Sequence, residues 1–517
     1  GEVYSASFLY TWARDYRDAK NKLVEYGLVD VDVAPGMTVP RDLDAMVHLR
    51  VKNRELKLIP QFEEKTTLEK IKETGDGIIY KIHFDKLGEN SIKVLYGENR
   101  YMYLEFFVTE PVETMIKKRA AFIASKQIKN PELWYDGLFA EWNNETNVVL
   151  SPDNYDKIKG WRIYEVTCDD PGLSKPAFLS TKLKEYPDQE QVDALDYYIE
   201  NFVWGGLQRT DKEEFPYGIY GIPDWYQNRN SKDDGVKGKL HIWRIYDYPH
   251  IMLMYYNMYF IARNYKNIRT SLTADEYLER AYRTALALFT IPYELDGWSA
   301  YKTGLYNELV IENIIQALYN EGRKLDADRL SIHWNRKIKY FINECKDIFA
   351  SEYPFDTTGF ESTHVIARSA LKKAERVRRE DRWNPPMAYS DAVRFMEAQI
   401  KCNIACRGYF EPAYYWYGSD YRANNWHYTL TYMSQMGGCS VLDYAINYAD
   451  DPEMYLRLGY GSVLSSWALL NSGDEESNYG YWFPGKQNDG AASGGFEPLP
   501  WGETWLEQPH RRGAWYY

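Results

Sequence analysis

The 517 residues exceed what one hydrophobic core normally covers, so two or more folding units are expected. Apolar residues at 45% and charged residues at 26% are ordinary globular values, which exclude a disordered chain, a collagen-like repeat and a fibrous coiled coil. With 62 Lys and Arg against 75 Asp and Glu, the net charge of −13 repels a phosphate backbone and argues against nucleic acid as a partner. The unusual quantity is the aromatic fraction, 16%, much of it beside Gly, Pro, Asp and Asn instead of in periodic apolar segments. Loops of that composition suit sugar rings, whose C–H faces pack on aromatic faces while Asp, Asn and Arg take the hydroxyls.

In chain order, the first ~110 residues read as strands, with period-2 alternation over 77–84 and 99–108, where Met102, Leu104, Phe106 and Val108 face one way. A β-sandwich over 1–110 is the simplest assembly. Pro111 then opens an amphipathic segment, with Met115, Ile116, Ala120 and Ile123 on one stripe, read as a linker helix over 111–128. From about 189 onward helical patterns recur at 189–204, 243–265, 274–290, 305–323, 327–349, 362–378, 390–406, 428–448 and 452–470. Thr273-Ala274-Asp275-Glu276 is a capping box, and Pro452 after Asp451 is a second start signal. Long aromatic, acidic loops alternate with short connections, the pattern of an α/α toroid whose long loops line one end.

No apolar run approaches the ~18–20 residues of a membrane span. The five cysteines, Cys168, Cys345, Cys402, Cys406 and Cys439, do not form a disulfide framework, and no His/Cys cluster gives them zinc-ligand spacing, so neither metal nor cofactor is expected. Asn144-Glu145-Thr146 is a lone glycosylation sequon.

The runs Trp204-Gly205-Gly206-Leu207-Gln208, Gly218-Ile219-Tyr220-Gly221-Ile222-Pro223-Asp224-Trp225-Tyr226 and Gly494-Gly495-Phe496-Glu497-Pro498 resemble the six-hairpin glycosidase superfamily. More narrowly, the chain is similar to a largely uncharacterised group of secreted polysaccharide-degrading proteins in which a β-sandwich precedes the toroid through a linker helix. The resemblance implies an (α/α)6 toroid over 129–517, glycoside hydrolysis of a polysaccharide or oligosaccharide, and a secreted, periplasmic or cell-surface location. Six hairpins need twelve helices, so the toroid is expected to be truncated at the C-terminus.

Hydrolysis needs one carboxylic acid to protonate the leaving oxygen and one carboxylate to activate water or attack carbon. Asp224, between Pro223 and Trp225, is the expected base, though the position equally suits an Asx turn. Glu361, beside Phe360 where a helical pattern begins, is the expected acid, raised by partial burial; the bland reading is a Glu favoured by a helix dipole. Asp247, three residues before His250, is the third catalytic candidate, or one half of a structural hydrogen bond. Trp204, Trp225, Tyr226, Tyr414, Trp416, Trp426 and Trp501 are candidate sugar platforms. His250, His364, Glu411, Glu497 and Glu503 complete the substrate-binding set. The expected chemistry is an inverting hydrolase with separated carboxylates. Two alternatives stay open: a lyase on a related toroid, with Tyr226, Asn228 and His250 in its proton transfers, and a non-catalytic glycan-binding protein.

Overall fold

The computed structural model describes every residue except 1–4, 6, 53–54, 98, 144–147, 154–170, 222–224, 237, 353–357, 380–386, 408–436 and 471–517. The chain divides into two compact units, the first running through Val112 and the second starting at Glu113.

The first unit opens on α1 (Tyr16–Glu25), capped by Asp15, whose carboxylate accepts from the Asp18 N–H. This helix departs from the strand pattern read over the first ~110 residues, and it buries no residue. Eight strands follow: β1 (Asp30–Ala34), β2 (Thr38–Pro40), β3 (Ala45–Arg50), β4 (Leu56–Pro60), β5 (Thr66–Glu73), β6 (Gly77–Phe84), β7 (Gly88–Tyr96) and β8 (Tyr101–Thr109). They make two sheets, ordered β1-β3-β6-β5 and β2-β8-β7-β4. Val47, Leu49, Ile82 and Phe84 of the first sheet and Ile92, Val94, Leu104 and Phe106 of the second share one buried core. Each such side chain contributes roughly 1.5–3 kcal/mol by leaving water. β8 starts two residues later than its alternation suggests, because Asn99 adopts a left-handed φ of 55° in the preceding turn.

Helix α2 (Val112–Ser125), all but its first residue in the second unit, buries Met115, Ala120 and Ile123 of the expected stripe. A two-stranded piece, β9 (Glu141–Asn143) with β10 (Val148–Leu150), precedes a helical array. Its members are α3 (Pro171–Glu185), α4 (Gln189–Tyr198), α5 (Trp225–Arg229), α6 (Asp247–Asn264), α7 (Ala274–Asp296), α8 (Leu309–Asn320), α9 (Lys324–Asn343), α10 (Gly359–Arg379), α11 (Tyr389–Arg407), α12 (Gly438–Asn447) and α13 (Glu453–Leu470). Chain neighbours pack in pairs, α6 with α7, α8 with α9, α10 with α11 and α12 with α13.

Several boundaries differ from the periodicity. The Thr273–Glu276 capping box is complete at the start of α7, but that helix runs past Pro292 to stop at Gly297, whose φ of 72° supplies the left-handed cap. α10 starts at Gly359 instead of Ser362, which moves Glu361 from a loop end into the helix's first turn. Pro452 lies one residue before α13. Among the described residues, no helix is long and apolar enough to cross a membrane.

Candidate functional site

Three segments of the second unit converge: the start of α6, the loop joining α7 to α8, and the first turn of α10. At their junction stands Asn307, a non-glycine residue with φ of 55°, a conformation that Asn tolerates better than most side chains. Its backbone N–H donates to Glu361 Oε1 at 2.9 Å, while its side-chain Nδ2 lies 3.0 Å from His250 Nδ1. With that amide donating, Nδ1 is the acceptor and Nε2, buried within the protein, carries the proton of the neutral ring.

Glu361 keeps partial solvent exposure, yet its carboxyl is pushed up to about 7. Burial among protein atoms is the main cause and the charge of Glu308 adds to it, against the Asn307 N–H, which favours the ionised form. Below neutrality Glu361 is therefore a carboxylic acid that can donate a proton.

The next residues in each segment form the floor. Glu308 and Lys337 are fully buried and in direct contact, Ser362 donates to the same Glu308 carboxylate, and the Leu305 N–H donates to it at 3.2 Å. Lys337 Nζ also reaches the Thr303 carbonyl at 2.5 Å. Burial moves Glu308 upward and Lys337 downward, and their mutual contact opposes both. Three polar donors hold Glu308 in place, so it supports the site without facing a substrate.

Aromatic rings form the wall. Tyr306 lies 5.8 Å from the His250 ring and 5.7 Å from that of Tyr246. The Tyr246 hydroxyl is 2.5 Å from Ser351 Oγ, which in turn donates to the Gly304 carbonyl at 2.8 Å and meets Thr358 Oγ1 at 2.7 Å.

Asp247, the first residue of α6, is completely buried, with its carboxylate against Gly221. A Cβ added to Gly221 would overlap the Asp247 carboxylate and come within 2.6 Å of Arg244 Cβ. Gly221→Ala is thus expected to destabilise the protein by roughly 1–3 kcal/mol through overpacking. Urea unfolding checks this, and an unchanged midpoint would contradict the packing at Gly221.

Of the residues singled out in the sequence, Glu361 and His250 meet through Asn307, and Asp247 sits on the helix that carries His250. His364 is elsewhere: its Nε2 lies 2.7 Å from Asp443 Oδ2 and its Nδ1 3.0 Å from Gln399, a buried link between α10, α11 and α12. Burial holds the His364 ring below its usual range. Trp204 packs against Tyr217 at 5.4 Å, with the Arg280 guanidinium 4.0 Å over its ring. Tyr226, on α5 with Trp225, stacks on Trp134 at 5.1 Å. Asp224, Glu411, Tyr414, Trp416, Trp426, Glu497, Trp501 and Glu503 lie outside the described residues.

Sequence reasoning missed Tyr246, Tyr306, Asn307 and the Glu308–Lys337–Ser362 floor. A signal existed for Lys337, a single charge on the α9 stripe that buries Leu330, Trp334, Ile338 and Phe341. Asn307 gave none, since its importance comes from a backbone angle.

No curated protein matches the sequence. A polysaccharide lyase of known structure, BACCELL_00875, is similar in fold, with a TM-score of 0.64 at 17% sequence identity, covering 91% of this chain and 63% of that one. The chain thus spans less than two thirds of that protein's length, and at such identity the likeness shows the fold alone. Residues 1–378 match the model of DUF5695, a family of unknown function, and over that span the chain belongs to this family.

Proposed function

We propose that the chain is a polysaccharide-degrading enzyme, that its helices close into an α/α toroid, and that it cleaves beside a uronic acid by β-elimination at the Glu361–Asn307–His250 cluster. The observation carrying this reading is that cluster itself, a neutral carboxyl and an imidazole joined through Asn307 next to Tyr306. Elimination requires the uronate carboxylate to be hydrogen-bonded so that the C5 proton becomes acidic, a task for preorganised donors. Glu361, partly exposed, supplies such a donor, and the buried His250 ring fixes the Asn307 side chain beside it. Tyr306, partly exposed, is then the group that, as phenolate, takes the C5 proton; the C4–O bond breaks, a C4–C5 double bond forms, and the departing oxygen takes the proton from Tyr306. The net charge of −13 does not attract a polyanion, so recognition rests on these short-range donors.

Hydrolysis, the activity expected from the sequence, is the second reading, favoured by the raised Glu361 carboxyl as general acid. It needs a facing carboxylate. Glu308, whose charge acts on Glu361, is engaged by Lys337 and Ser362, which leaves the base to Asp224 or another acid. Incubation with polygalacturonate, alginate and hyaluronate separates the readings. Elimination is expected to give fragments with a conjugated unsaturated end that absorbs in the short-wavelength ultraviolet, whereas hydrolytic fragments are one water heavier and lack the band.

A further inference from the structure

We propose that His241, Trp243 and Trp298 form a platform that holds pyranose rings beyond the bond being cleaved, so that the ligand is a chain of several sugars; this rests on the polysaccharide-degrading reading above. The rings continue one another. His241 stacks on Trp243 at 4.9 Å and 30°, Trp243 lies 6.0 Å from Trp298, and Trp298 lies 5.7 Å from Tyr246. Tyr246 passes the row to Tyr306 and so to His250, the ring that meets Asn307. An aromatic ladder thus leads from the acid–imidazole cluster outward.

Trp298 packs against the core along one side, and two features set the row apart from fully buried packing. Tyr246 is 1% exposed and belongs to the core, but His241, Trp243 and Trp298 all retain exposed surface. Both indole N–H groups are also spent on the protein, Trp243 Nε1 donating to the Val236 carbonyl at 3.1 Å and Trp298 Nε1 to Thr303 Oγ1 at 3.2 Å. The rings are held in orientation before any ligand arrives, and what they offer is an apolar face, the complement of a pyranose C–H face. Polar groups border the row: the Arg244 guanidinium stands 5.3 Å over the Tyr246 ring and 3.5 Å from Glu352, where sugar hydroxyls can be met.

The test uses the full chain carrying Glu361→Gln, to suppress cleavage, in native gels cast with polygalacturonate, alginate, hyaluronate or neutral xylan. At least one glycan is expected to retard it, and adding Trp243→Ala or Trp298→Ala should weaken that retardation by about 10-fold each, the scale of one lost ring contact. Trp243→Phe and Trp298→Phe keep a ring, should retain most of the retardation, and guard against simple misfolding. Retardation unchanged in both alanine variants, or no retardation by any glycan, overturns the platform. A glycan that binds through Trp243 but yields no unsaturated product from the native protein would instead sink the eliminative reading and leave the platform standing.

Discussion

Glu361→Gln is expected to lower turnover by about 10²-fold, the scale for losing the preorganised carboxyl O–H donor, while the fold persists. Gln keeps the carbonyl oxygen that accepts from the Asn307 N–H, so the geometry at the start of α10 survives and the exchangeable proton does not. The native enzyme should lose activity as pH rises through about 7, where Glu361 surrenders its proton, and the Gln variant's residual activity should lack that limb. Stability follows the same sign. Between the ordinary carboxylate range and about 7 the folded state holds a proton that the unfolded state has released, so rising pH lowers stability across that window and Glu361→Gln removes this slope. Initial rates and urea midpoints from pH 5 to 8 provide the check; a Gln variant with near-native turnover would remove Glu361 from the chemistry.

Lys337→Met is expected to cost about 3–5 kcal/mol, the largest stability effect of any single change considered, because it strands the Glu308 carboxylate at zero exposure. Met fills the space of the lysine stem, so cavity formation is a minor part of the loss. Adding Glu308→Gln should recover much of it, since the amide can still bond with Ser362 and the Leu305 N–H without carrying charge. Urea unfolding of the three variants measures the coupling. A single variant that costs under ~1 kcal/mol would mean that the pair is not held as a buried ion pair.

What the sequence made legible was whatever depends on periodicity or local capping. The alternation over 77–84 is β6 to the residue, and Thr273 begins α7 as its capping box requires. Glu361 is legible as an acid beside Phe360, but periodicity puts it at a loop end because the apolar stripe of α10 is carried by residues after it, such as Val365 and Ile366. The partner of Glu361 was not legible. Asn307 lies 54 positions away, and only the packing of α10 against the loop before α8 brings them together. Buried polar residues mislead in the other direction. His364 read as a ligand-binding side chain, but a histidine satisfied by Asp443 and Gln399 looks the same in sequence as one facing substrate.

Asn307-Glu308 and Glu361-Ser362 face each other as two dipeptides, residue against residue, with the first of each pair at the surface of the site and the second locked below it. A side chain tethered to the next rung of such a zipper has little room to reorient. The pair at the surface cannot drift without tearing the pair beneath, so under the function proposed above an incoming sugar would meet a stiff receptor and adjust itself. Under that proposal, relatives taking other glycans are expected to differ at rings such as Trp243 and Trp298 and to keep these four positions.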